Sequence, residues 1–292
     1  MIKLAACVVL YNPDDTIFEN ILTYGNYVDK LIVIDNSLKK NNLLIDKLNE
    51  IFESKLIYIN NNDNLGIATA LNQACDKAIE LKFKWILTMD QDSSFENFEH
   101  YLKCFNSVNS NKDIAILAAN TDGNKENNIS LSLDFEDKFI VITSANIVNL
   151  EHFEQIGRFD DKLFIDAVDF DFCIKANINK LRILLFKDVY VNHALGEVFL
   201  RKNIFTRKNK YKIEHNAQRA YYIARNYMYI ATKYHKLYPK EMGLLHNINI
   251  LFIHEVTKIL IYEDDKFNKL KGKFIGFYHF LIGRYGKYNL KK

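Results

Sequence analysis

The sequence predicts an α/β fold: a Rossmann-like, mostly parallel sheet flanked by helices and followed by a helical C-terminal appendage. Three observations carry this expectation. Short apolar runs alternate with helically spaced segments over the first 120 residues, carboxylates and asparagines follow several of those runs directly, and from about Gln218 onward the pattern is helical with few turn signals. Buried strands alternating with amphipathic helices indicate parallel βαβ winding. Ligands in such sheets settle beyond the carboxyl ends of the strands, so the residues after each run are the candidates for chemistry.

The apolar runs fall at 4–11, 30–35, 55–59, 85–89 and 114–119, each rich in Val, Ile, Leu or Ala as strands covered on both faces are. Ile67, Ala70, Leu71, Ala74, Cys75, Ala78 and Ile79 recur at the spacing of one helix face. Residues 129–135 alternate apolar and polar, and 139–144 read as another short strand, so both are expected to extend a mixed sheet. A helix is expected over 168–176 and a strand over 182–191, ending at His193.

Composition bounds the partners. Of 292 residues 49% are apolar, with 21 Phe and 17 Tyr, enough for a sizeable core. A net charge of +3 is too small to argue for nucleic acid, but residues 266–292 hold eight Lys or Arg and no acid, leaving the first 265 at −5. Cys7, Cys75, Cys104 and Cys173 are isolated among apolar neighbours, as buried thiols of a reducing cytosol are. The N-terminal apolar run is short and leads into Asn12-Pro13-Asp14-Asp15, which favours a first strand over a signal peptide. No stretch reaches the roughly 20 apolar residues of a membrane span. The nearest, 248–261, is interrupted by His254, Glu255 and Lys258.

The sharpest motif is Asp90-Gln91-Asp92-Ser93, two carboxylates directly after a buried strand. A divalent cation on such oxygens can bridge the phosphates of a nucleotide, although Asp and Ser also favour plain turns. Phe95 stands where an EF-hand loop needs Gly, which excludes that reading. Asp166, Asp169 and Asp171 lie within six residues among Phe and Ile. Such carboxylates need a partner, a metal or a role as general base, unless they merely decorate a helix N-terminus. His193 follows a strand and can complete a cation site, and imidazole suits Mn2+ better than Mg2+. Asp35-Asn36 ends the second strand, where a carboxylate can accept the N3–H of uracil or thymine. Asn64 and Gly66 open a helix that can face phosphate, with Asn72 two turns on.

Taken in order, Leu10-Tyr11-Asn12-Pro13, Val33-Ile34-Asp35-Asn36-Ser37, the Asn64, Gly66, Ala68, Ala70 and Asn72 series, Asp90-Gln91-Asp92-Ser93, Leu163-Phe164-Ile165-Asp166, and His193 with Gly196 resemble family 2 glycosyltransferases. More narrowly they resemble the rhamnosyltransferase-like bacterial subgroup. The resemblance covers about residues 4–200 and continues faintly at Arg225-Asn226. It implies a GT-A fold and inversion at the anomeric carbon in a single displacement, with Mn2+ or Mg2+ as cofactor. It also implies Asp92 and His193 as metal ligands, with Asp90 beside them placing the donor sugar and diphosphate. Asp169 matches the family's catalytic base, with Asp166 as the alternative because Val168 stands where Glu is frequent. Tyr11 and Asp35 would contact the nucleobase, and the donor would be dTDP-L-rhamnose or another UDP- or dTDP-sugar.

Residues 1–212 are then expected to form the catalytic domain, with a nucleotide-sugar half to about 120 and an acceptor half over 121–212. Residues 213–292 form the helical C-terminal region. The basic, aromatic segment 266–292 suits an anionic membrane surface, joined by Arg201, Lys202, Arg207, Lys208, Lys210 and Lys212. A saccharide or lipid-linked saccharide at the cytoplasmic face would be the acceptor, and self-association is compatible with the sequence. Rival classes are a D-x-D phosphatase, whose motif normally follows the first strand rather than the fourth, and a non-catalytic sugar-binding module. No G-x-G-x-x-G follows a strand, which disfavours a dehydrogenase.

Overall fold

All five apolar runs become strands, each within about two residues of its expected bounds, in a computed structural model that describes residues 3–121, 131–193, 197–202 and 209–290. The chain divides into one unit of Met1–Asp161 and Val168–His193 and a second of Lys162–Ala167 and Ala194–Lys292. In the first unit the order is β1 (Ala5–Leu10), α1 (Ile17–Gly25), β2 (Lys30–Asp35), α2 (Asn42–Phe52), β3 (Leu56–Asn60), α3 (Ile67–Glu80), β4 (Trp85–Asp90) and β5 (Ser93–Phe95). There follow α4 (Phe98–Val108), β6 (Ile114–Asn120), β7 (Phe135–Asp137), β8 (Asn146–Asn149), α5 (Phe153–Ile156), α6 (Val168–Ile178) and β9 (Arg182–His193).

The strands run β3-β2-β1-β4-β8-β6-β9-β5, with β7 also paired to β9. β3, β2, β1 and β4 are mutually parallel, as are β6 and β9, whereas β8 lies antiparallel between β4 and β6. β1 is buried along its whole length because both faces of the sheet are covered. The core beneath it joins Leu10, Val33, Leu87 and Met89 to Ile17, Leu48 and Tyr101 of the surrounding helices.

Two expected strands are corrected. Residues 139–144 form no ladder, and the strand that joins the halves of the sheet is the next segment, Asn146-Ile147-Val148-Asn149. Its two central apolar residues are too few to signal a strand, and Asn149 both donates to the Ile114 carbonyl and opens the turn that follows by accepting the Glu151 amide at 3.0 Å. Of 129–135, residues 129 and 130 lie outside the described residues. Pairing begins only at Phe135, in an exposed strand on β9.

The second unit holds an antiparallel hairpin of β10 (Glu197–Lys202) and β11 (Asn209–Glu214). It continues with α7 (Ala217–Tyr234), α8 (Pro239–Met242), α9 (Leu244–Ile248), a π-helical turn at Asn249–His254, α10 (Glu255–Tyr262) and α11 (Lys266–Leu281). Of the basic cluster expected near 201–212, Arg207 and Lys208 lie outside the described residues. The helical run Pro239–Tyr262 is long and apolar enough, by length and composition, to cross a membrane, with 17% of its most apolar window buried. The sequence expectation differed because it took the apolar stretch to begin at Ile248, whereas the helix starts nine residues earlier. α11 packs on α7 through Gly272 and Gly276, whose added Cβ atoms would meet the Ala217 carbonyl at 2.5 Å and the Tyr221 carbonyl at 2.3 Å.

Candidate active site

The carboxyl ends of β1, β2 and β4 gather the first unit's polar residues. Asp35, the last residue of β2, is fully buried; its Oδ1 accepts from the Ser37 amide at 2.8 Å and its Oδ2 from the Tyr58 hydroxyl at 2.6 Å. Each carboxylate oxygen has two lone pairs, so capacity for a further donor remains. Burial, and then the bond to Asp35, pushes the Tyr58 hydroxyl well above its usual range, so Tyr58 stays a donor that orients the carboxylate.

Asn36 is buried and donates to the Gly66 carbonyl at 3.1 Å, while its own carbonyl accepts from Asn61 at 2.8 Å. Gly66 precedes α3 at φ +89°, a conformation suited to glycine, and the Asn64 side chain accepts its amide at 3.0 Å. Asn64 thus shapes the loop before the helix. Asn72 has a different set of partners: its amide donates to the Phe159 carbonyl and Asp161, and its carbonyl accepts from the Phe159 amide. It anchors the 159–161 turn within this unit.

Tyr11 is half exposed, and Gln91 clamps its backbone by accepting its amide at 2.8 Å and donating to its carbonyl at 3.2 Å. The middle residue of the D-x-D motif therefore ties the end of β1 to the acidic loop. Sequence reasoning passed over Gln91 because it attended to the carboxylates on either side.

Asp90, Asp92 and His193 each offer a ligand atom within 4.8 Å of the others, the arrangement a divalent cation needs. Two carboxylates and an imidazole fit Mn2+ or Mg2+ by donor type. β5 pairs with the end of β9, setting Ser93 opposite His193 and so bringing a residue 100 positions away to the acidic loop. His193 Nδ1 lies 3.4 Å from Asp92 Oδ1, and hydrogen bonding to Asp92 raises the ring's pKa against the opposing effect of burial.

The later acidic residues separate. Asp171 is buried and paired with Lys175 Nζ at 2.7 Å. Asp166, in the second unit, receives two bonds from Arg219, Nε at 3.0 Å and an Nη nitrogen at 2.5 Å. It follows Phe164 and precedes Ala167, all three at positive φ, and Asn226 accepts this strain by donating to the carbonyls of Leu163, Ile165 and Asp166. Asp169, in the first turn of α6, lines a small cavity with Thr143, Asn146, Cys173 and Thr88, the last of which lies two residues before Asp90 on β4. It is not one of the three residues grouped as cation ligands. The four cysteines are buried and free, and burial lifts the Cys7 and Cys173 thiols to about 12, so neither supplies a thiolate.

This geometry has relatives. Residues 7–175, more than half of the chain, match the family described as glycosyl transferase family 2. The chain is 27% identical to the dTDP-rhamnosyl transferase RfbF of Shigella flexneri over 252 residues, covering 80% of this chain and 81% of that one. Among solved structures it is similar to residues 1–349 of S. aureus TarS in complex with UDP-GlcNAc, at TM-score 0.57 and 15% identity over 97% of this chain and 82% of that one. It is also similar to GalNAc-T7 with UDP, GalNAc and Mn2+, at TM-score 0.54 and 12% identity over 66% of this chain, and there it spans 44% of the other chain's length. These likenesses place the first unit's sheet and flanking helices in the GT-A fold. With the family matched across β1 to α6, the protein belongs to glycosyl transferase family 2 and is a glycosyltransferase.

Proposed function

We propose that the protein transfers L-rhamnose from dTDP-L-rhamnose, or failing that another UDP- or dTDP-sugar, with inversion onto a hydroxyl of a cell-surface polysaccharide or lipid-linked oligosaccharide precursor. The observation that carries this reading is the grouping of Asp90, Asp92 and His193 at the rim of the same parallel sheet as Asp35 and Tyr11. Asp35, aimed by Tyr58, accepts the N3–H of a pyrimidine, and Tyr11 supplies an exposed ring beside it. Asn36, Asn64 and Gly66 shape the entrance to α3, whose N-terminus favours diphosphate. Asp169 takes the proton of the acceptor hydroxyl as its oxygen bonds to the anomeric carbon. The bond to the diphosphate breaks on the opposite face, and its electron pair leaves with the nucleotide. A divalent cation, Mn2+ or Mg2+, would neutralise the leaving diphosphate when held by Asp90, Asp92 and His193. The likeness to a dTDP-rhamnosyl transferase supports the donor.

The same reading makes the protein a peripheral one on the cytoplasmic face of the membrane, with the basic, aromatic C-terminal region facing anionic lipid. Two experiments test the chemistry. Asp92→Asn should lower sugar transfer on the order of 10²–10³-fold with an unchanged far-UV spectrum. Inorganic phosphate released without glycoside would instead indicate the D-x-D phosphatase. Calorimetric titration with dTDP, UDP, ADP and GDP in Mn2+ should favour the pyrimidines, and a purine preference would contradict the role given to Asp35.

A further inference from the structure

We propose that Ser93 and Ser144 are positioning residues of the cation site, a buried hydroxyl chain that holds the His193 ring as a ligand. The inference rests on the cation-binding reading of Asp90, Asp92 and His193. Both serines are at most 1% exposed. Ser144 Oγ accepts the Asp90 amide at 3.2 Å and donates to Ser93 Oγ at 2.7 Å, and Ser93 Oγ lies 2.7 Å from His193 Nδ1. One continuous chain thus runs from the backbone of the first acidic residue to the imidazole that β9 delivers.

The arrangement answers a competition. Asp92 and Ser93 both approach Nδ1, the carboxylate at 3.4 Å and the hydroxyl at 2.7 Å. An Asp92 carboxylate turned toward a cation gives up its hold on the ring, and Ser93 then keeps the ring in place with Nε2 as its other edge. A serine hydroxyl has one proton and two lone pairs, so Ser93 can accept from Ser144 while donating to a bare Nδ1, or accept from Nδ1–H when that nitrogen carries the ring proton. Removing either hydroxyl leaves Asp92 to pull the ring into an ion pair, which withdraws two ligands together.

Residues that orient a metal-bound histidine are worth about 10–100-fold in metal affinity. Mn2+ binding in the presence of dTDP, followed by the electron paramagnetic resonance signal of free Mn2+, should weaken by that factor in Ser93→Ala and in Ser144→Ala. Mg2+ competition should change less, because Mg2+ leans on the carboxylates. Ser93→Thr, which keeps the hydroxyl, should retain affinity, and thermal melting reports whether each variant is folded. If wild type binds Mn2+ and both Ala variants bind it as tightly, or if Ser93→Thr is as weak as Ser93→Ala, the positioning role is wrong while the cation site stands. If wild type and Asp92→Asn alike fail to bind Mn2+, the cation site itself falls and the inference with it.

Discussion

Asp166 and Asp169 stand three residues apart, yet their surroundings differ. Both oxygens of Asp166 are engaged by the Arg219 guanidinium, which fixes the carboxylate on that side chain. Asp169 borders a cavity and is tied locally to the Phe170 amide at 2.9 Å. Asp169→Asn should therefore reduce kcat on the order of 10²–10⁴-fold while calorimetry finds donor affinity unchanged. Asp166→Asn should act mainly on stability, by about 1 kcal/mol, since Arg219 is partly exposed. The opposite pattern in the two kcat values would transfer the base role to Asp166. His193 adds a pH dependence at the same scale. Its pKa is raised by Asp92, so the ion pair stabilises the cation-free protein below the unfolded histidine's value near 6.5, and that contribution is lost as pH rises through the higher folded value. A cation needs the neutral ring, so Mn2+ affinity should rise with pH across that window, as titrations between pH 6 and 8 would register.

Among the elements, α7 and α11 pair most closely, because two glycines let their backbones meet. Gly276→Ala would drive a methyl group into the Tyr221 carbonyl, forcing the helices apart at about 1–3 kcal/mol and lowering the melting temperature by several degrees. The same pair buries His279, whose ring meets the Tyr221 hydroxyl at 2.8 Å. Burial lowers the pKa of His279 and, earlier in the unit, of His215. A neutral ring is then favoured in the fold, so this contribution is complete above the unfolded value and is lost as pH falls through the folded one. Melting scans should show stability declining below pH 6.5, with His279→Gln flattening the decline. Elements of this kind were unevenly legible in the sequence. β1 to β4 and β6 announced themselves because strands covered on both faces read as unbroken apolar runs. The four-residue β8 did not, since its ladder is fixed by neighbours on either side and not by its own composition. At the site the carboxylates and His193 were visible as residue types in order, whereas Gln91, Tyr58, Ser93 and Ser144 act through hydrogen bonds that depend on the pairing of β1 with β4, of β2 with β3 and of β5 with β9 and on the turn before β8.

The molecule as a whole distributes exposed apolar surface unequally. Of the 22 large apolar residues exposed among those described, 11 fall within residues 237–282, although that span is less than a sixth of the chain. Phe267, Phe274, Tyr278 and Leu281 recur at the spacing of one helical face, opposite the glycines that seat α11 on α7, and Phe267 is 77% exposed. Leu245, Ile253 and Leu260 add a second exposed stripe along Pro239–Tyr262, whose Phe252 ring touches Phe277 of α11. Two of the eight basic residues after Asp265 are not available to lipid, because Lys273 is buried and Lys269 is buried between Glu214 and Glu263. Lys266, Arg284 and Lys287 are exposed and flank the aromatic face. In the peripheral reading proposed above, this helix would insert its apolar side into the interface, with anionic headgroups strengthening the attraction. Deleting residues after Asp265 would be a poor test, since it strips α7 of its packing partner; substitution on the exposed face leaves that packing intact. Phe267→Ser combined with Phe274→Ser should lower co-sedimentation with phosphatidylglycerol-containing vesicles by about tenfold or more, from the apolar area withheld from the bilayer, while transfer to a soluble acceptor persists. Wild-type protein that stays in the supernatant with anionic vesicles, yet sediments in the ultracentrifuge as a dimer that the double variant abolishes, would reassign this face to a second copy of the chain.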